Sequence, residues 1–239
     1  MDETSTMTLV LWDVDHTLIE NGGVSKDTYA TAFEMLTGRA AVVPIETDGR
    51  TDPDIMRNLL ARHGLVYDDD ERSRTVLIEA LASKLDDLRR RGHPMPGAKA
   101  ILELLQQEVG VLQTVLTGNI QPNAVVKLAA FGLDKFIDFE IGGYGSDDPV
   151  RSKLVQVAQS RAGTKYPGQR FDRTNTVVVG DTPRDVRTGL EGGARVVPVA
   201  TGVSTMDDLR TAGASVLLPN LIDTPATLRA ILEGAGPGG

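Results

Sequence analysis

Two aspartates, Asp13 and Asp15, follow the apolar run at residues 8–12 and are separated by a single valine. In an extended segment, side chains two residues apart point the same way, so both carboxylates are expected at the C-terminal end of a buried strand. Two like charges at that distance repel each other, which favours a bound cation or one protonated carboxyl group. The pair therefore predicts chemistry on a phosphate, on a metal ion, or on both.

Two later apolar runs end in similar polar sequences. The run at 110–116 leads into Thr-Gly-Asn at 117–119, and the run at 176–180 leads into Asp-Thr-Pro-Arg-Asp at 181–185. In a parallel sheet the C-terminal ends of the strands share one edge, where open α/β folds bind their ligands. We therefore predict that these three strand ends form one site.

Together, these segments resemble the haloacid dehalogenase-like (HAD) phosphohydrolases, and within them the phosphoglycolate-phosphatase-like branch. The resemblance extends from about Thr8 to the early 200s, and three of the four expected motifs are clear and in order. It implies an α/β fold with a Rossmann-like parallel sheet core flanked by helices and an inserted all-helical cap domain. It also implies a phosphatase that hydrolyses a small phosphomonoester with the help of Mg²⁺ through an aspartyl-phosphate intermediate.

The chemistry and the resemblance agree on the two roles at the first strand end. A carboxylate can attack phosphorus and divide one difficult step into two, which makes Asp13 the expected nucleophile. Asp15 is the expected general acid/base, which protonates the leaving group and then activates water.

The resemblance implies a Mg²⁺ site at the same edge. Asp13, Asp181 and the backbone carbonyl of Asp15 would supply the protein ligands, and oxygen is the ligand that Mg²⁺ requires. Asp185 would orient these ligands or bind a metal-bound water, although an acid at the start of a helix is equally well explained by the helix dipole.

Phosphate contacts are expected from the second strand end and from a cation. Thr117 would donate its hydroxyl to the phosphoryl oxygens, with the backbone N–H groups of Gly118 and Asn119 beside it, although Thr-Gly-Asn also suits a simple turn. Relatives often carry Lys-Pro before a core helix, and this chain departs from that pattern. Arg151 and Lys153 are both candidates for the phosphate-neutralising cation, and Arg151 fits the helix count better.

The chain departs from its relatives at His16 as well, where glycine or asparagine is commoner. A histidine there could touch the leaving group or fill a turn, and the turn is preferred. In the polar cap segment at 47–52, Arg50 could bind a substrate carboxylate or a second anion, and a solvated loop arginine is about as good an explanation.

Helical spacing of apolar residues predicts three cap helices, at residues 24–37, 53–63 and 71–91. Residues 21–93 are therefore expected to form the cap, and residues 1–20 and 94–239 the core. In the core, helices and strands alternate, which is typical of parallel βαβ units. Short strands are predicted near 136–141 and 215–218, and the Gly/Pro-rich end at 234–239 is expected to be disordered.

The chain has 239 residues, a net charge of −8 and no cysteine, which excludes disulfides and thiolate chemistry and argues against nucleic acid as the main partner. No signal peptide or membrane-spanning run is visible, so a cytoplasmic protein that binds a small phosphorylated metabolite is expected, as a monomer or homodimer.

The same residues bear on functions other than a phosphatase. Asp15 fits phosphatases and phosphomutases, so a β-phosphoglucomutase-like phosphotransferase is the second hypothesis. A non-catalytic regulatory protein on the same fold would be expected to lack Asp13 or Asp181. A phospho-receiver domain is about half as long, and a DxD glycosyltransferase leaves residues 181–185 unexplained.

Overall fold

The computed structural model describes residues 7–47, 49–66 and 70–233. The predicted end segment 234–239 lies outside these residues. The strands of the described residues are β1 (Thr8–Trp12), β2 (Ile19–Glu20), β3 (His93–Pro94), β4 (Val111–Thr117), β5 (Gly143–Tyr144), β6 (Thr176–Val179) and β7 (Arg195–Val196). Five of them form a parallel sheet in the order β5-β4-β1-β6-β7. The prediction of an α/β fold with a parallel sheet is confirmed.

Helices cover both faces of this sheet and form the cap. The helices of the described residues are α1 (Val24–Thr37), α2 (Asp52–Arg62), α3 (Asp70–Ser83), α4 (Leu85–Arg91), α5 (Ala98–Gln107), α6 (Gln121–Ala129), α7 (Lys153–Lys165), α8 (Pro183–Gly192), α9 (Met206–Thr211) and α10 (Thr224–Glu233). None of these helices combines the length and the apolar character that crossing a membrane requires.

The central strand β1 is buried on both faces because its side chains alternate between two cores. Val10 and Trp12 pack with residues of α5, α6 and α10, whereas Leu9 and Leu11 pack with residues of α7, α8 and α9. An uninterrupted apolar run is the expected sequence of such a doubly covered strand. Since β1 lies between β4 and β6, the three predicted strand ends are neighbours in the sheet.

The helices α1–α4 form the cap, which lies between β2 and β3 in the chain. Residues of α1, α2 and α3 share one apolar cluster, which Ile120 of the core also joins. Strands β2 and β3 pair antiparallel where the chain leaves and re-enters the core. Arg91 braces this junction, because its Nε donates to the Gly22 carbonyl at 3.0 Å and its Nη1 contacts Asp27 at 2.6 Å. The domain boundaries at residues 20/21 and 93/94 stay a prediction, and they fall on this small sheet.

The predicted long helix at 71–91 is two helices, because α3 ends at Ser83 and α4 begins at Leu85. The Ser83 hydroxyl donates to the carbonyl of Ala80 at 2.7 Å, and the Lys84 N–H bonds the carbonyl of Leu81 three residues back. A serine hydroxyl that bonds a backbone carbonyl and a tightened last turn both favour the end of a helix.

The predicted strand near 136–141 is wrong. Two short 3-10 helices, Asp134–Phe136 and Phe139–Ile141, occupy the segment. The Asp138 side chain accepts from the Glu140 N–H and caps the second of them, so the apolar residues are buried by packing instead of strand pairing.

The predicted strand at 215–218 is reduced to one isolated bridge between Val199 and Leu218. Leu218 donates to the carbonyl of Pro198 at 3.0 Å and accepts from the Ala200 N–H at 2.9 Å. Because Pro198 has no N–H, it cannot donate to the segment before Leu218 and extend this bridge into a ladder. The unpredicted helix α9 begins at a capping box in which Thr205 and Asp208 bond each other's backbone N–H groups.

Replacing Gly97 by alanine is expected to lower the free energy of unfolding by about 2 kcal/mol or more. Gly97 has φ 86° ahead of α5, and an added Cβ would collide with the Leu221 carbonyl. Left-handed backbone costs an L-residue about 1–2 kcal/mol, and overpacking adds about 1–3 kcal/mol. Gly132→Ala is the matched control, since its φ is 67° with nothing within 4 Å. Equal losses in urea unfolding would contradict the collision.

Candidate active site

A small cavity lies where the C-terminal ends of β1, β4 and β6 face the cap. Its volume is about 80 Å³. Eight of the ten predicted site residues line it: Asp13, Asp15, Arg50, Thr117, Gly118, Asn119, Arg151 and Asp181. A larger cavity of about 560 Å³ lies between α2, α3 and the loop at 145–149. None of the aspartates predicted for catalysis or metal binding lines it. The smaller cavity is therefore the candidate active site.

Three buried aspartates gather at one side of this cavity. Asp13, Asp181 and Asp185 each place a carboxylate oxygen so that these atoms lie within 4.8 Å of one another. Asp13 is fixed by its backbone N–H, which donates to the carbonyl of Val179 on the neighbouring strand at 2.8 Å. The Thr17 hydroxyl donates to Asp181 Oδ1 at 3.0 Å. Such a cluster of oxygens could hold a cation.

Asp185 serves the start of α8 as well as the cluster. Its Oδ2 accepts from the N–H and the hydroxyl of Thr182, at 3.0 and 2.6 Å, and the Thr182 hydroxyl accepts from the Asp185 N–H. This capping box holds the carboxylate against Asp13. The two sequence-based explanations, helix capping and participation in the acidic cluster, therefore apply to the same side chain.

Burial and mutual repulsion raise two pKa values in the cluster. The pKa of Asp13 lies well above its ordinary value because of burial and of the nearby Asp185, with smaller contributions from Asp181 and Asp15, although Arg151 opposes them. Burial and Asp185 raise the pKa of Asp181 to about 7. The three carboxylates are thus not all ionised near neutral pH unless a cation compensates their charge.

Arg151 supplies one positive charge to the cluster. Its Nη2 donates to Asp13 Oδ1 at 2.9 Å and to Asp185 Oδ1 at 2.6 Å, and its Nη1 donates to the Gly49 carbonyl of the cap at 3.2 Å. Its Nε is buried without a hydrogen-bond partner. An unpaired buried donor next to a carboxylate cluster is available to an anionic ligand.

The other candidate cation, Lys153, lies outside the cavity. It is the first residue of α7, its side chain is 57% exposed, and its amine contacts Asp148 at 3.4 Å. The structure therefore brings Arg151 to the carboxylates and leaves Lys153 on the surface.

Asp15 occupies a different electrostatic environment from Asp13. Lys127 Nζ lies 2.9 and 2.7 Å from its two oxygens, and the side-chain amides of Asn21 and Asn119 donate to them at 2.8 and 2.9 Å. Burial by itself would raise the pKa of Asp15, but the Lys127 ammonium and these hydrogen bonds lower it to about 2. In this arrangement Asp15 is a carboxylate.

The loop after β4 is ordered by its own side chains. Thr117 Oγ1 accepts from the Asn119 backbone N–H at 3.2 Å and from its side-chain amide at 2.8 Å. The Thr117 hydroxyl proton remains available to a ligand. The Asn119 N–H, predicted to contact phosphate, is used inside the loop, and the carbonyl of Gly118 accepts from the Asp52 N–H of the cap at 2.7 Å.

The cap reaches the cavity through the segment around α2. Arg50 lines the cavity, and its guanidinium contacts Glu46 at 3.2 Å and Asp54 at 3.4 Å. Buried Asp52 accepts from the Ile120 N–H at 2.9 Å and from the Tyr29 hydroxyl at 2.6 Å. The cap is thus held against the loop after β4 by both the backbone and the side chain of Asp52.

The backbone conformation of His16 explains why glycine and asparagine are common at this position in relatives. Its φ is 64°, and it is the one non-glycine residue with a positive φ in the described part of the chain. Asparagine and glycine tolerate this conformation best, which accounts for their frequency there. The ring contacts Glu20 at 2.9 Å, and His16 also lines the cavity. The turn explanation and the contact with the leaving group both agree with this position and stay predictions.

Sequence reasoning missed Lys127 and Asp52. Each is at least 97% buried. Asp52 is the first residue of α2, one position before the predicted start of that helix at residue 53. Lys127 follows Asn123 by four residues and shares its helix face with Ala124 and Leu128. A lysine on the buried face of an amphipathic helix was the available signal, because such a lysine needs a partner.

Comparison with known proteins gives one family and several similar folds. The sequence model of the family described as haloacid dehalogenase-like hydrolase matches residues 10–189. A relative named "Probable phosphatase IndB", from Dickeya dadantii (strain 3937), is 24% identical over 231 residues, covering 94% of this chain and 95% of that protein.

Two solved structures illustrate the likeness of fold. CbbY from Rhodobacter sphaeroides in complex with phosphate has a TM-score of 0.70 at 14% identity, covering 91% of this chain and 96% of its own. A protein from Bacteroides vulgatus whose description names beta-phosphoglucomutase has a TM-score of 0.67 at 18% identity, covering 97% of this chain and 91% of its own. At these identities the likeness concerns the fold alone.

In the presence of EDTA, Asp181→Asn is expected to be more stable than the wild type at pH 8. The folded pKa of Asp181 is about 7, and the unfolded one is about 3.9. The folded state therefore binds more protons between these values, and the wild-type free energy of unfolding falls as pH rises from about 4 to 7. Asparagine keeps an acceptor for Thr17 and removes the charge.

Urea unfolding at pH 5 and pH 8 measures this effect. The variant should gain on the order of 1 kcal/mol or more over the wild type between the two pH values. Asp207→Asn, at an exposed position in α9, is the control and should change nothing. Parallel pH dependences of Asp181→Asn and the wild type would contradict the interpretation.

Proposed function

Because the chain belongs to the haloacid dehalogenase-like hydrolase family, we propose that it is a Mg²⁺-dependent phosphatase of a small phosphomonoester that acts through an aspartyl-phosphate. One observation carries the proposal. The Asp13 carboxylate stands at the end of the central strand, against Arg151 and within reach of the same cation as Asp181. This arrangement combines a nucleophile with charges that can hold a phosphate.

The donor set of the acidic cluster fits Mg²⁺. Three carboxylates against one guanidinium leave two uncompensated negative charges, which a divalent cation neutralises. Asp13 and Asp181 would hold the ion with the Asp15 backbone carbonyl, and Asp185 would orient them. A bound Mg²⁺ neutralises phosphoryl charge and lowers the pKa values that burial raises in the cluster.

In the first step, an oxygen of Asp13 attacks phosphorus and forms the aspartyl-phosphate while the bond from phosphorus to the ester oxygen breaks. The leaving oxygen takes a proton from Asp15. Asp15 is a carboxylate in the free site, and the arriving phosphate dianion raises its pKa through like-charge repulsion. Arg151, with its unpaired Nε, and the Thr117 hydroxyl bind the phosphoryl oxygens.

In the second step, Asp15 takes a proton from a water molecule. The water oxygen attacks phosphorus, the bond from phosphorus to the Asp13 oxygen breaks, and inorganic phosphate leaves. Asp13 is then a free carboxylate again. Asp15 loses its proton to solvent when phosphate leaves, because its pKa in the free site is about 2, and it takes up a proton again when the next substrate arrives.

The cavity and the charge of the chain favour a small phosphorylated metabolite. Ligand pockets usually measure about 300–1,000 Å³, whereas this cavity measures about 80 Å³ with the cap in place. A substrate therefore has to be small, or it enters when the cap opens. Arg50 lines the cap side and would bind an anionic group of the substrate. A net charge of −8 disfavours nucleic acid as the substrate.

Phosphate release with Mg²⁺ is expected from at least one small phosphomonoester, and Asp13→Asn should lower kcat by about 10³-fold or more. The panel contains phosphoglycolate, sugar phosphates, nucleoside monophosphates and p-nitrophenyl phosphate, each assayed with Mg²⁺ and with EDTA. Mass spectrometry of the quenched wild type should find a phosphorylated Asp13.

A mutase would behave differently in the same experiment. It would interconvert sugar monophosphates in the presence of a sugar bisphosphate and release little phosphate. The fold shared with the Bacteroides vulgatus protein makes this the second candidate. A folded protein that shows neither activity and no phosphorylated aspartate would refute both.

Arg151→Met is expected to lower kcat/KM about 10²–10³-fold, because it removes a guanidinium directed at the transferring phosphoryl group. Lys153→Met is the matched control, since Lys153 is exposed and two residues away in the chain. It should keep kcat/KM within about twofold of the wild type, as expected for a surface ion pair. The reverse ranking would place the phosphate-neutralising cation at Lys153.

A further inference from the structure

Lys127 is a buried lysine whose ammonium is bonded to four oxygen atoms. The residue is 3% exposed. Its Nζ lies 2.9 and 2.7 Å from Asp15 Oδ1 and Oδ2, 2.9 Å from the Ser25 hydroxyl and 2.7 Å from Asn119 Oδ1. An ammonium has three protons, so these partners use all of them. Lys127 does not line the cavity of the candidate active site, so it influences the reaction through these partners and through its charge, without a contact to the substrate.

The three partners of Lys127 come from three different parts of the fold. Asp15 lies in the loop after β1, Asn119 lies in the loop after β4, and Ser25 lies in the first turn of the cap helix α1. Asn21, in the segment that leads into the cap, donates to the same Asp15 oxygen as Lys127. One ammonium therefore joins both core loops to the cap.

The helix that carries Lys127 is also the helix on which the cap rests. At its start, the Ile120 N–H donates to Asp52, and one turn later the Asn123 amide donates to the carbonyl of Leu77 in α3 at 3.2 Å. Lys127 adds a third contact through Ser25. A shift of the cap relative to α6 would change all three contacts together.

We propose that Lys127 is a positioning residue that fixes the Asp15 carboxylate at the cavity and ties its placement to the docked cap through Ser25. This inference rests on the proposed function, in which Asp15 exchanges a proton with the leaving group and with water. The Asp15 carboxylate is hydrogen-bonded by the Lys127 ammonium and by the Asn21 amide, so its oxygens keep one orientation toward the cavity. When the cap lifts, Lys127 loses Ser25, and its remaining partners can rearrange.

Leaving-group dependence separates this role from a purely structural one. A phenolate such as p-nitrophenolate leaves without a proton, whereas an alkoxide needs one, so only the alkyl ester depends on a well-placed Asp15 in the first step. We expect Lys127→Met to lower kcat/KM for an alkyl phosphate of the panel about 10–100-fold more than for p-nitrophenyl phosphate, because kcat/KM reports the first step and not the later attack of water. Ser25→Ala keeps the ion pair but removes two contacts of the Ser25 hydroxyl, one with Lys127 and one with Asp15 Oδ1 at 3.4 Å. It should give the same preference at about 2–5-fold.

A double-mutant cycle with Asp15→Asn completes the test. If Lys127 acts through Asp15, Asp15→Asn combined with Lys127→Met should have the same ratio of alkyl to aryl ester turnover as Asp15→Asn. The proposal would be overturned if Lys127→Met lowered the turnover of the alkyl and the aryl ester equally. It would also be overturned if the changes in the alkyl-to-aryl ratio caused by the two single substitutions multiplied in the double variant. Urea unfolding checks that each variant is folded, and Ser25→Ala carries the test if Lys127→Met is not.

Hydrogen exchange tests the coupling to the cap without any turnover. Lys127→Met and Ser25→Ala should speed amide exchange about tenfold at residues 15–25 and leave exchange in α10 unchanged. If the wild type hydrolyses no ester of the panel, the proposed function fails and the exchange measurement alone decides. Unchanged exchange at residues 15–25 in both variants would then refute the coupling.

Discussion

The repulsion between buried carboxylates is the constraint on which this site depends. Asp13, Asp181 and Asp185 stand within the reach of one cation, in a place where little water screens them. Adjacent strands deliver the first two, and the capping box of α8 delivers the third. Arg151 offsets part of the charge, and the raised pKa values of Asp13 and Asp181 record what remains. The fold thus stores an electrostatic cost that the proposed divalent cation would relieve.

Asp13 and Asp15 are close in sequence, but their electrostatic environments are opposite. They are two residues apart on one strand end, yet burial among acids raises the pKa of Asp13, and Lys127 lowers that of Asp15 to about 2. Environments that separate two carboxyl groups in this way assign different tasks to them. The cluster around Asp13 has one guanidinium for three carboxylates, whereas Asp15 has one ammonium, that of Lys127, for one carboxylate. The second cation is provided by a helix of the core and is shared with the cap.

Features that depend on residues close together in the chain could be predicted from the sequence, whereas contacts between distant residues could not. Strand ends are local features, so the positions of Asp13, Thr117 and Asp181 could be predicted from apolar runs and their polar termini. Arg151 could be preferred to Lys153 by counting back from a helix, because the first residue of that helix faces solvent. The pairing of Lys127 with Asp15 spans 112 residues and leaves only an ambiguous buried lysine in the sequence.

The strand prediction for residues 136–141 was wrong for a related reason. Its apolar residues do enter the core, but its backbone makes a single bond to the backbone of β4, from the Asp138 N–H to the Gln113 carbonyl at 2.8 Å. The ladder on this side of β4 forms only at residues 143–144. The side-chain pattern reports burial, which helices and strands share. It does not report which backbone groups are left to pair.

Arg151 connects Asp13, the proposed nucleophile, with the cap. Arg151 bonds Asp13 and Asp185 on the core side and the Gly49 carbonyl on the cap side. The backbone at Arg50 lies so close to Gly118 that any side chain at position 118 would collide with it. The cap loop therefore closes directly over the predicted phosphate-binding loop, and its carbonyl helps to hold the guanidinium that touches the nucleophile. In the proposed mechanism, closure of the cap would therefore complete the charge arrangement around Asp13 in addition to excluding water, and substrate selection and activation of Asp13 would share one set of contacts.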